Sequence, residues 1–196
     1  MSDGPGRYDD ELWELVPPER GPAPAHAVEF VRGLGAAARV LDLGGGDGRL
    51  AAELAADELT VADASAVALE RARARLPDAR LVQVVPDAPL PLHDSVFDLV
   101  LCADVLEHVR DVQLFLSEAR RVLRPGGRLA VVTPAHGRLT GLDVVLRGFE
   151  RRFDPLSPHL RFLTRRSLAR LLDELGFDGV SVRRRRGDLL ALARRG

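Results

Sequence analysis

Residues 40–48 read Val-Leu-Asp-Leu-Gly-Gly-Gly-Asp-Gly, and this stretch constrains the fold more than any other. A short apolar run carries an acid and stops at glycines 44, 46 and 48, separated by single residues. The run reads as a buried β-strand, and the glycines as a tight turn leading into a helix over 49–56. Glycine lets the backbone come close to a ligand, because no Cβ stands between them. The dinucleotide fingerprint G-x-G-x-x-G/A needs a small residue at its last position, where helix packs on strand. Counting from Gly44, that position is Arg49. The pattern is instead D-x-G-x-G-x-G.

Strand and helix signals alternate along the rest of the chain. Helices are expected over 25–34, 66–75 and from Asp111, whose following stripe Val112, Phe115, Leu116, Ala119 and Val122 has helical spacing. Strands are expected over 39–43, 59–63, 79–85, 97–102 and 128–133. Thr164 is placed to cap a helix with apolar Leu168, Leu171, Leu172 and Leu175. Strands over 180–184 and 189–193 then close the chain through Gly187-Asp188. Such alternation predicts an α/β fold with a doubly wound, mostly parallel sheet. Ligands bind these sheets beyond the carboxyl ends of the strands. That rim carries residues 44–48, Asp63, Asp87 and the residues after Cys102. Residues 1–24 read as a loose N-terminal arm or cap, with Tyr8, Leu12, Trp13 and Leu15 as anchors, and 25–196 as the domain.

At this point the chain resembles the class I S-adenosylmethionine (SAM)-dependent methyltransferases, whose first motif has the D-x-G-x-G-x-G form. Leu101–Val109, LCADVLEHV, resembles the segment after the fourth strand in the small-molecule, ubiquinone-biosynthesis type. The resemblance covers residues 25–193 and is strongest at 40–48, 97–109 and 124–134. It implies a Rossmann-like seven-stranded sheet with an antiparallel hairpin at one edge. It also implies SAM as cofactor and S-adenosylhomocysteine (SAH) as product. Asp42, Gly44, Gly46 and Gly48 would line the cofactor. Asp63, about 20 residues beyond the turn, would accept hydrogen bonds from the ribose hydroxyls, with Ala64 beside it. The alternative for Asp63 is a helix N-cap. Asp87 and the Ala88 amide would read adenine; the alternative is an Asp-Pro turn. The backbone at Cys102 and Ala103 would lie beside the methionine part.

The resemblance implies transfer of a methyl group to a small-molecule acceptor, at O, N or C, by in-line displacement. A catalytically silent SAM-binding module that regulates a partner is the alternative. If the acceptor is a hydroxyl, His136 after the fifth strand and His159 in the following insert are the candidate bases; the alternative for each is a structural histidine. The insert, 135–163, would cover the acceptor. Glu107-His108 supplies two adjacent groups, and a metal needs ligands that converge, so no metal is expected. Cys102 reads as buried rather than nucleophilic.

Net charge is −1, which gives no pull toward nucleic acid or an anionic membrane. Arg183 to Arg186 therefore reads as a solvated edge. A single cysteine among 196 residues fits a reducing compartment. The opening residues lack the basic and apolar run of a signal peptide, and no apolar run reaches membrane-spanning length. The expected location is cytoplasmic. The sequence leaves the oligomeric state open.

Overall fold

The computed structural model describes residues 6–137 and 159–196. Seven strands form one sheet: β1 (Ala37–Leu43), β2 (Ala56–Asp63), β3 (Arg80–Gln83), β4 (Phe97–Ala103), β5 (Leu123–Pro134), β6 (Phe177–Arg185) and β7 (Asp188–Arg195). Their order is β3-β2-β1-β4-β5-β7-β6. The first five pair in parallel, and β7 runs antiparallel to both β5 and β6. The helices among the described residues are α1 (Arg7–Leu15), α2 (Ala25–Arg32), α3 (Ala66–Arg75), α4 (Val112–Val122) and α5 (Arg165–Glu174). This is the doubly wound sheet with an antiparallel edge pair that the sequence implies.

The central strands are buried on both faces, which is why they read as unbroken apolar runs. Alternate side chains serve opposite layers. Leu41, Leu43, Val100, Cys102, Leu129 and Val131 pack with Leu116, Ala119 and Val122 of α4 and Leu168 and Leu172 of α5. Val40, Leu99, Leu101 and Ala130 face the other way, onto Val31 of α2. The ends of α4 and α5 follow their capping chemistry. Asp111 accepts from the Leu114 amide at 2.9 Å. Thr164 and Ser167 form a reciprocal capping box.

Three expectations are corrected. First, residues 49–56 hold only a single 3-10 turn, Ala51–Glu53, despite their alanine-rich composition. Strand β2 begins at Ala56 and pairs there with Ala37, the first residue of β1. The connection must therefore run back along the whole of β1, a distance of about 20 Å. Seven helical residues would advance only about 10 Å, so crossover geometry overrides propensity. Second, β5 starts at Leu123 rather than Arg128. A five-residue step from Leu123 to Arg128 opposes a two-residue step from Phe97 to Leu99, so Pro125-Gly126-Gly127 is absorbed as a bulge in the ladder.

Third, the arm contains a helix. A nine-residue helix is marginal alone, and α1 is held by what it docks on. The Asp10 carboxylate accepts from the Ser65 hydroxyl at 2.7 Å and the Val67 amide at 3.1 Å, at the start of α3. Arg71 of α3 donates to the Val16 carbonyl at 2.9 Å. Trp13 lies near two guanidiniums, Arg20 at 5.5 Å and Arg71 at 5.7 Å from its ring, within cation–π range. Of the expected anchors, Leu12 and Trp13 are partly buried, whereas Tyr8 and Leu15 are exposed.

Arg183 to Arg186 are exposed along β6 and its turn, at the open edge of the sheet. Charge on an edge strand discourages pairing with another sheet. No helix among the described residues is long and apolar enough to cross a membrane.

Phe177 opens β6 and is 1% exposed within the main core. Phe177→Ala is expected to destabilise the fold by about 3–5 kcal/mol in chemical denaturation. A loss below about 1 kcal/mol would mean that the β6–β7 edge is not integral to the core.

Candidate active site

The carboxyl ends of β1, β2 and β4 meet α1 and the loop before α4 around a cleft of about 870 Å³. Its floor is the turn after β1. The amides of Gly44 and Gly45 donate to the Ala62 carbonyl at 2.7 and 3.2 Å, which clamps the turn to β2. Gly46 has φ +55°, and a Cβ there would stand 2.5 Å from the Trp13 ring. Gly48 has φ +75°, and its Cβ would meet Leu76 at 2.7 Å. The two glycines therefore do different work. Gly44 and Gly46 line the cleft, whereas Gly48 lets the turn pack beside α3 and is not part of the wall.

Asp63 ends β2 at the same corner. One carboxylate oxygen accepts from the Gly46 amide at 2.8 Å, and the other from the Ser65 amide at 2.9 Å. The cap of α3 is not Asp63 but Ser65, whose hydroxyl accepts from the Ala68 amide at 3.1 Å. Burial pushes Asp63 up to about 6, with the Ser65 and Gly46 amides pulling the other way. Asp42 lies deeper. Burial, then Asp63 and Asp47, push it up to about 7. Its Oδ1 has no hydrogen-bond partner among the described residues.

The far wall carries Asp87, Ala88, Ala103 and Asp104, and Ala64 lines the near side. Asp87 takes a left-handed φ of 55° and accepts from the Asp111 amide at 3.1 Å, which joins the turn after β3 to the start of α4. Asp104 likewise has φ 53° and is pushed up chiefly by burial.

The structure separates the remaining candidates. Cys102 is wholly buried in the core, its thiol pushed well up by burial and then by Asp42, and it is not part of the cleft wall. Residues pointing up and down alternate along β4, so Ala103 reaches the cleft and Cys102 does not. His136 is set by its amide bond to the Leu163 carbonyl at 2.8 Å, and its ring meets Phe162 edge-on at 5.0 Å. His159 packs on His108, with ring centres 4.8 Å apart, and His108 lines the cleft. Burial, then His108, lower the pKa of His159. Neither His136 nor His159 lines the cleft itself.

Glu107 holds this corner together. Its Oε2 accepts from the Thr133 hydroxyl at 3.0 Å, and its carbonyl accepts from the Leu160 and Arg161 amides at 2.7 and 3.3 Å. Most of the insert, residues 138–158, lies outside the described residues, and so do its apolar positions from Leu139 to Phe153 and Arg147, Arg151 and Arg152.

Sequence reasoning missed Arg20 and Asp104 on the cleft wall. Arg20 and Trp13 reach the wall through tertiary docking that no spacing encodes. Asp104 stood in view in LCADVLEHV, but only its left-handed backbone turns it out of the strand.

The burial of Asp42 generates a pH prediction. In the unfolded chain its proton leaves at about pH 4, whereas the native group holds it to about pH 7. Its contribution to stability is therefore complete below pH 4 and is lost as pH rises to 7. Asp42→Asn should raise the melting temperature at pH 8 by roughly 5 °C, and the gain should fade toward pH 4. An equal or lower melting temperature at pH 8 would contradict the assignment.

Residues 41–131 match the family described as Methyltransferase domain. The chain is 35% identical over 175 residues to a demethylmenaquinone methyltransferase of Beutenbergia cavernae, covering 80% of this chain and 72% of that one. It superimposes on a candidate methyltransferase of Bacillus halodurans with TM-score 0.71 at 19% identity, covering 87% of this chain and 99% of the other. It also superimposes on DhpI in complex with SAH, with TM-score 0.67 at 24% identity over 88% and 84% of the two chains. The solved structures show the shared fold, and the sequence relative shows the family. The chain belongs to the class I SAM-dependent methyltransferases.

Proposed function

We propose that the cleft binds SAM and transfers its methyl group to a small-molecule acceptor. The observation that carries this reading is the pairing of Asp63 with the Gly46 amide at the cleft floor. It sets a carboxylate beside the glycine backbone of the cleft floor. The donor set fits SAM in three further respects. Gly44 and Gly46 line the cleft floor, with Val105 and Trp13 closing over them. Asp42 offers a buried oxygen with no described partner. The volume accommodates a nucleoside-sized ligand together with part of an acceptor.

On this reading Asp63 and Ala64 hold the ribose, Asp87 and Ala88 face adenine, and Asp42, Gly44, Gly46 and Ala103 flank the methionine part. Gly48 and Cys102 support this set from behind. The helix and loop within 1–24 form a cap, and 25–196 form the methyltransferase domain, with 135–163 over the acceptor.

SAM supplies an activated methyl on a cationic sulfur. The chain's task is to orient the acceptor in line with it and exclude water, a proximity effect. Trp13 and the loop from Asp104 to His108 enclose that region. His159 stands nearer the cleft than His136, because it contacts a histidine on the cleft wall. The Beutenbergia relative is named for a quinone precursor, which supports an aromatic or enolic ring as acceptor.

Calorimetry should find tighter binding of SAM and SAH than of NAD. Asp63→Asn should weaken SAH binding by about 10–100-fold, as expected for losing charge-assisted hydrogen bonds. Equal NAD binding, or an unchanged variant, would contradict the reading.

The indole over Gly46 gives a second prediction. Trp13→Ala should raise the Kd for SAM about tenfold while lowering the melting temperature by less than about 5 °C. Unchanged affinity would leave α1 a structural appendage.

A further inference from the structure

We propose that Glu107, His108 and His159 form a site for a divalent transition-metal ion of the zinc class, placed at the acceptor side of the cleft. Glu107 and His108 come from the loop after β4, and His159 from the chain approaching α5. Each offers one ligand atom, and these atoms all lie within 4.8 Å of one another. The adjacent pair visible in the sequence lacks a converging third group, and the fold supplies it from 51 residues away.

The carboxylate and the backbone that carries His159 are held in place before any ion arrives. The Glu107 side chain is 3% exposed. Its Oε2 is taken by the Thr133 hydroxyl, which directs Oε1 toward His108. Oε1 and His108 Nε2 stand 3.9 Å apart. That is too long for a hydrogen bond. Donors that share one tetrahedral ion at bond lengths of about 2.0–2.2 Å stand roughly 3.3–3.6 Å apart, so this pair closes by a few tenths of an ångström when an ion binds. His159 is carried on a backbone pinned to the same residue, since the Leu160 and Arg161 amides both donate to the Glu107 carbonyl. Thr133 thus orients the carboxylate from outside, as partners of metal ligands do.

The donor set selects the class of ion. Two imidazoles and one carboxylate suit zinc, cobalt, nickel or iron(II) better than calcium or magnesium. The negative charges of Asp104 and Asp188 act on Glu107 from nearby and add to the attraction for a cation. Three protein ligands leave a position open, as at catalytic rather than structural zinc. His108 lines the cleft, so the open position falls on the side where an acceptor would enter. An ion there would take an acceptor oxygen as its next ligand and make that hydroxyl more acidic. This role rests on the proposed methyltransferase reading; the binding of the ion does not.

The test uses the full chain without an affinity tag, stripped with EDTA and titrated with cobalt(II), followed by visible absorption and by competition with zinc. SAH is titrated in parallel into the metal-free protein. We expect one equivalent of cobalt, displaced by zinc, with affinity lowered at least about tenfold in His108→Ala, His159→Ala and Glu107→Gln. His159→Gln, checked by circular dichroism, separates loss of a ligand from loss of fold. Absence of cobalt binding in the parent, or binding that the folded His159 variants leave unchanged, would overturn the site. If SAH still binds in that case, only the metal proposal fails. If cobalt binds and SAH does not, the cofactor reading fails and the ion stands.

Discussion

One hydrogen bond organises the cleft: the Gly46 amide donates to the Asp63 carboxylate at 2.8 Å. It joins the turn after β1 to the end of β2, two neighbouring parallel strands. The turn can reach Asp63 only because its backbone is left-handed at Gly44 and Gly46, a conformation that costs ordinary residues about 1 kcal/mol or more. Once made, the bond fixes a carboxylate on the cleft floor. Asp63 also holds the Ser65 amide, so the same carboxylate orders the start of α3. Helix α3 in turn receives α1 through Asp10 and Arg71. The floor, near wall and cover of the cleft therefore hang from one corner.

That corner is costly. Asp42 and Asp63 are both nearly inaccessible, and Asp63 lies close enough to raise Asp42. Burying paired like charges opposes folding, and a fully apolar core would avoid it. Retention of such a pair beside a cleft is characteristic of a site rather than of packing. The extended apolar strands on either side supply the stability that tolerates it.

The sequence made the parallel sheet legible because β1, β4 and β5 are buried on both faces and so are apolar throughout. It made α4 and α5 legible because Asp111 and Thr164 are true caps; at α3 it offered Asp63 as the cap where Ser65 fills that place. It misled at residues 49–56, where alanine-rich composition favours a helix but β1 and β2 start level with one another and stretch the connection. It read 1–24 as loose because nothing local to Arg7–Leu15 specifies a partner for the helix; the partner is α3, over 50 residues away. At the site, the glycine turn and Asp63 were visible through spacing. The difference between Gly46 on the wall and Gly48 behind it was not, since both follow the same pattern and only Leu76 distinguishes them. The convergence of His159 on Glu107 and His108 likewise depends on two backbone bonds that no motif records.

The position of the ligand relative to this corner decides whether the cleft is the cofactor site. A crystal structure of the chain with SAH is the most direct measurement. The account predicts ribose hydroxyls within hydrogen-bond distance of the Asp63 carboxylate, adenine beside Asp87 and Ala88, and the homocysteine part passing over Gly44 and Gly46. SAH bound elsewhere, or bound in the cleft without contact to Asp63, would contradict it.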